Sequence, residues 1–110
     1  MAKVEILESL KNEILKKFKS ESKTIFKLMR SLGDNPHKGK ELNNFGGVVI
    51  KEIKYKSFRF YFITDGQKLK IMDKTQLENL LIQFVRMSDK KDQQKTINEI
   101  KKILMKLEEF

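Results

Sequence analysis

Between Val48 and Ile63 the chain reads V-V-I-K-E-I-K-Y-K-S-F-R-F-Y-F-I, with apolar and charged positions interleaved at the two-residue period of a β-strand. The pattern predicts strands at 48–56 and 58–64, joined by a tight hairpin that Ser57 permits. On the second strand Phe58, Phe60 and Phe62 share one face, and Arg59, Tyr61 and Ile63 share the other. The phenylalanines are expected in the core and Arg59 is expected to emerge, available, on the opposite face. Asp65-Gly66 predicts a turn into a third strand at 68–73. Residues 74–78 fit no element clearly. Leu80, Ile82, Phe84 and Arg86 alternate with Leu81, Gln83, Val85 and Met87, which predicts a fourth strand buried over most of its length.

Helical spacing brackets these strands. Leu7, Leu10, Ile14 and Phe18 recur every three or four residues, with Leu15 widening the stripe. Ser9 is a candidate N-cap, and the alternation of Val4 and Ile6 allows a short edge strand at 3–7. After a break at Ser20–Ser22, the residues Ile25, Phe26, Leu28, Met29 and Leu32 form a second stripe, ended by Gly33 in the place of a C-terminal cap. This predicts an antiparallel helical hairpin or one bent helix. Residues 33–47 hold the only proline and four of the five glycines, and so read as loop. Ser88 and Asp89 offer cap oxygens for a last helix from about Lys90 to Glu108, whose stripe is Ile97, Ile100, Leu104 and Leu107, with Ile103 adjacent. The order implies one α+β domain over residues 1–110: a helical hairpin packed on an antiparallel sheet of about four strands, with a C-terminal helix.

Charge adds a partner to this picture. Twenty-four Lys and Arg against fifteen Asp and Glu give a formal charge of +9, which favours an anionic partner such as nucleic acid. A sheet face carrying cations and aromatics suits phosphates and stacked bases, which points toward RNA. The chain has no cysteine and a single histidine, His37, so thiolate zinc sites, a cysteine nucleophile and a multi-histidine metal centre are excluded. No apolar run approaches the roughly 20 residues of a membrane span. The segment M-A-K-V-E-I-L-E lacks a signal-peptide core, and a cytoplasmic location is expected.

Specific segments sharpen the RNA expectation. S-L-G-D-N-P-H-K-G-K-E-L at 31–42 resembles the "L-x-x-N-P-x-x-G-x-x-L" loop of RelE/HigB-type toxins of toxin–antitoxin modules. G-G-V-V-I-K-E-I-K-Y-K at 46–56 and F-R-F-Y-F at 58–62 follow in the positions of that family's basic strand and its "Y-R-x-x-Y" strand. F-V-R-M-S-D-K-K-D-Q-Q-K-T-I-N-E-I at 84–100 is similar to the basic strand-to-helix junction of the HigB-like branch. The similarity runs over about residues 25–104.

The resemblance implies a ribosome-associated mRNA endoribonuclease, neutralised by a cognate antitoxin, that needs neither metal nor small-molecule cofactor. A ribose 2′-OH attacks its own phosphate, a step that needs a proton acceptor, cations for the pentacoordinate phosphate and an acid for the leaving oxygen. Arg59 matches the family arginine that meets the scissile phosphate. Arg86, ending the fourth strand, and Lys54, sharing the Arg59 side, complete the expected catalytic set. Lys51, Lys56, Tyr61, Lys90 and Lys91 are expected to hold the RNA; Glu52 is a candidate proton acceptor, with pairing to nearby lysines the expected role. The chain departs from the family in having no Tyr or His after the last strand. Asp89 and Asp92 are the nearest acids there, and a lysine of depressed pKa or Tyr61 would have to substitute. A non-catalytic RNA- or ribosome-binding module on the same basic sheet is the alternative.

Overall fold

The computed structural model describes residues 2–71 and 80–108 and has an α+β architecture. In chain order the elements are β1 (Lys3–Ile6), α1 (Glu8–Phe18), α2 (Ser22–Arg30), β2 (Lys40–Phe45), β3 (Val48–Tyr55), β4 (Phe58–Asp65), α3 (Gly66–Ile71), β5 (Leu81–Asp89) and α4 (Gln93–Glu108). The sheet runs β1-β5-β4-β3-β2, antiparallel except for the β1–β5 pair, so there are five strands rather than about four. No described helix is long and apolar enough to cross a membrane.

Both faces of the sheet are covered. Leu10 and Ile14 of α1, and Ile25, Phe26 and Met29 of α2, bury Ile53, Phe60, Phe62, Ile82 and Phe84. Ile97, Ile100 and Leu104 of α4 bury Ile50, Tyr61 and Val85 on the other side. Between α1 and α2 a single 3₁₀ turn at Lys19–Glu21, with Lys19 at φ 50°, redirects the chain. Ser22 Oγ donates to Ile14 O at 3.1 Å and holds the start of α2 against α1, which makes the expected hairpin. Helix α1 starts at Glu8 with Leu7 in the cap position and no side-chain cap, so Ser9 is not the N-cap. Gly33 closes a 3₁₀ turn without a positive φ, and its carbonyl accepts the Ala2 N–H at 2.8 Å.

Three further expectations need correction. The stretch read as loop contains β2, because Gly46 (φ 57°) and Gly47 (φ 88°) form the two-residue turn of a β2–β3 hairpin in which Phe45 pairs with Val48. The third strand expected at 68–73 is instead α3: Asp65 Oδ1 accepts the N–H of both Gln67 and Lys68 at 3.0 Å, which makes Asp65-Gly66 a helix start rather than a hairpin turn. Helix α4 begins at Gln93, three residues after the expected start, while Asp89 Oδ1 accepts the Asp92 N–H at 2.9 Å in the preceding turn. Residues 74–78, the end of the expected 68–73 strand and the Leu107 side chain lie outside the described residues.

Gly39 fixes where the 34–39 loop meets the sheet. Its φ is +104°, and a Cβ there would stand 2.9 Å from Phe62 Cζ and 3.1 Å from the Glu52 carbonyl. Gly39→Ala is expected to lower unfolding stability by about 2 kcal/mol, measured by urea denaturation. An unchanged midpoint would show that the loop tolerates the methyl group.

Candidate nucleic-acid interface

Register brings the expected cations together on the α4 side. Across β3 and β4, Lys54 pairs with Arg59 and Glu52 with Tyr61. Across β4 and β5, Arg59 pairs with Ser88 and Tyr61 with Arg86. A bulge in β5 opposite Tyr61 and Phe62 admits one extra residue, so Val85 reaches the α4 core while Arg86 stays level with Tyr61. Lys54, Arg59 and Arg86 therefore occupy adjacent rows of one face, on three consecutive strands.

That face is not open along its length. Arg59 is only 9% exposed and Glu52 2%, where the sequence led us to expect an available arginine. Arg59 Nε lies 3.3 Å from Glu52 Oε2, and Gln93 Nε2, from the first turn of α4, donates to the same oxygen at 3.3 Å. The Arg59 Nε hydrogen makes no aligned bond among the described residues, so the contact is an ion pair by proximity rather than by a hydrogen bond. Glu52 thus pairs with Arg59, and no lysine lies within ion-pair distance of it among the described residues.

Tyr61 is fully buried, with its hydroxyl 2.7 Å from Ser88 Oγ. Ser88 donates its own proton to Asp89 O at 2.8 Å, so the Tyr61 hydroxyl is the donor in the pair. Burial pushes the Tyr61 phenol above its ordinary value of 10.0, with the Ser88 hydrogen bond pulling it partly back. A ring so enclosed offers no stacking platform to a base, and its phenol is a poor proton acceptor.

The remaining predicted residues separate into two groups. Lys51 points to the α1/α2 side, away from Arg59, where its Nζ donates to His37 O at 3.0 Å and lies 5.8 Å from the Phe62 ring centroid. Burial holds its ammonium below the ordinary lysine value, partly offset by Glu41 across the strand pair. At the other end of β3, Lys56 occupies the hairpin turn at φ 55° and pairs with Glu21 at 2.8 Å, which raises Lys56 and lowers Glu21. Lys54, Lys90 and Lys91 are exposed, and Arg86 is half-buried with Nη1 donating to Val85 O at 2.7 Å.

Helix α1 adds cations that strand periodicity did not point to. Lys17 Nζ stands 4.7 Å from the Phe58 ring centroid, and Lys16 and Lys17 border a groove of about 380 Å³ that Glu13, Asp89 and Asp92 also line, so the groove itself is not net cationic. Phe58 pairs with Asp89 across β4 and β5, so the β3–β4 hairpin, the β5–α4 turn and the end of α1 meet at one end of the sheet. Lys16, Lys17, Lys54, Lys56, Lys90 and Lys91 surround that end. Of these, Lys56 is already paired with Glu21, while Arg59 is held against Glu52.

Comparison with known proteins finds no matching family model, no similar curated protein and no similar solved structure.

Removing Arg59 strands the Glu52 carboxylate beneath α4. Arg59→Ala is expected to cost about 3 kcal/mol in urea unfolding, and Arg59→Met combined with Glu52→Leu to recover much of that loss. Equal losses in the single and double variants would mean that packing, not the ion pair, governs the site.

Proposed function

We propose that this chain is a RelE/HigB-like toxin: a cytoplasmic, ribosome-associated endoribonuclease that cuts mRNA through the ribose 2′-OH and is held in check by a protein antitoxin. The observation that carries this reading is the presence of Lys54, Arg59 and Arg86 on one face of β3, β4 and β5, beside a rim of exposed lysines. The ordered motifs at 31–42, 46–62 and 84–100 supply the family expectation.

In this reading Lys54, Lys90 and Lys91 steer the backbone onto the hairpin end of the sheet. Arg59 exchanges Glu52 for oxygens of the scissile phosphate, and Arg86 joins it in stabilising the charge of the pentacoordinate phosphorus. The exchange frees the Glu52 carboxylate, 3.3 Å from Arg59 Nε, to accept the 2′ proton. The 2′ oxygen bonds to phosphorus and the 5′ oxygen leaves, protonated by the Lys54 ammonium or by solvent. Glu52 takes the place of the Tyr or His that the family carries after the last strand.

One observation favours a second reading, a non-catalytic RNA- or ribosome-binding module. The Arg59–Glu52 pair is closed beneath Gln93 and Tyr61 is sealed in the core, which leaves the exposed lysines as a purely electrostatic surface.

Purified protein incubated with translating ribosomes, followed by primer extension on the mRNA, separates the two. Codon-positioned cuts that fall about 100-fold in Arg86→Ala and in Glu52→Gln, with both variants folded by circular dichroism, support the nuclease. RNA retention without cuts, with a salt dependence that flattens by roughly one unit per lysine removed from Lys54, Lys90 and Lys91, supports the binding module and sinks the nuclease.

A further inference from the structure

Lys51 opens a separate question on the opposite side of the sheet. The loop at 37–39, β2, β3 and α3 line an open cavity of about 670 Å³ there, within the range that takes a small molecule. Lys51 stands in its wall with 4% exposure for the residue as a whole, and its ammonium is part-buried against the loop. A lysine ammonium carries three donors, yet the described residues supply one hydrogen-bond acceptor, the neutral carbonyl of His37 at 3.0 Å. Among the described residues no carboxylate lies within 4.0 Å of it, in contrast to Arg59, whose burial is matched by Glu52. A buried cation with one neutral partner is costly unless something anionic completes its shell.

We infer that this cavity binds a small molecule through an oxyanion group, phosphate or carboxylate, held by Lys51 and reached past Lys70. Lys70 of α3 is exposed at the cavity and adds a second positive charge, while Asn44 of β2 offers a side-chain amide. Val49 and Leu69, both buried, form an apolar wall against which the body of the ligand packs. Glu41, directly across the strand pair from Lys51, leaves one net positive charge among these three ionised groups, which favours an anionic headgroup. The groups facing Lys51 are thus Glu41 from β2, Lys70 from α3, His37 from the loop and the Phe62 ring from β4. The lowered Lys51 pKa follows from the same desolvation, and a bound anion acts against it. The site lies on the face away from Lys54 and Arg59, so it does not depend on the RNA reading.

The test titrates inorganic phosphate and, separately, butyrate into the ¹⁵N-labelled protein at neutral pH, following backbone amide shifts and the Lys51 ¹³Cε signal. The expected result is saturable shifts at residues 37–51 and 66–70, with Lys51 titrating at higher pH when the site is filled. Lys51→Met is expected to weaken binding at least about tenfold, Lys70→Ala to weaken it less, and Lys54→Ala to leave it unchanged. Because an unfilled site penalises the charged lysine, Lys51→Met is also expected to raise the urea midpoint, an effect that is complete below the lowered pKa of the folded state and fades as pH rises through the ordinary lysine value. Saturation by phosphate alone assigns a phosphate headgroup, and by butyrate alone a carboxylate. Absence of saturable shifts with both, or equal binding by folded Lys51→Met, overturns the proposal. Loss of mRNA cleavage activity has no bearing on it.

Discussion

The structure depends on β4 being buried from both sides. Phe60 and Phe62 are sealed beneath α1 and α2, Tyr61 beneath α4, and all three are fully buried. A strand in that position cannot leave its polar side chains to water, so each polar residue on the α4 side must find a partner within the fold. Arg59 has Glu52, one strand over, and Tyr61 has Ser88, one strand over in the other direction. Gln93 joins the first pair to α4. The α4 interface is therefore apolar along Ile97, Ile100 and Leu104 and polar at its start, and the polar end coincides with the residues expected to meet RNA.

This coincidence sets the terms for function. In the proposed function, the exposed lysines at the hairpin end attract a phosphate backbone at little structural cost, whereas Arg59 is engaged in the fold and would reach a phosphate only by giving up Glu52. Under that proposal, engagement of RNA would require rearrangement beneath the first turn of α4, where Gln93 holds Glu52. Lys51 presents the complementary case on the other face: a buried lysine with no carboxylate within 4.0 Å among the described residues, beside an open cavity. The two buried cations of β3 and β4 have opposite electrostatic circumstances although their strands are neighbours, because successive residues along a strand face different layers.

Much of this was legible in the chain. The alternation F-R-F-Y-F assigned Phe58, Phe60 and Phe62 to one face and Arg59 and Tyr61 to the other, and the three- and four-residue stripes located α1, α2 and α4. Lys54 was correctly put on the Arg59 side. What escaped was structure whose local signals are shared between alternatives. An Asp-Gly pair serves equally as a hairpin turn and as a helix start, and only the Asp65 hydrogen bonds to Gln67 and Lys68 select the second. The edge strand β2, K-E-L-N-N-F, carries too few apolar residues to alternate visibly, because an edge strand is partnered on one side only.

The sequence by itself determined the elements with strong periodicity, the face each side chain takes and the excess of positive charge, because these follow from backbone geometry and local composition. The tertiary structure alone decided that α4 covers the Arg59 face, that Glu52 rather than a lysine-seeking partner role claims the arginine, and that Lys51 borders a cavity. Those outcomes depend on which distant surface reaches a given face, and burial, not residue type, then sets whether a charge is solvated or paired.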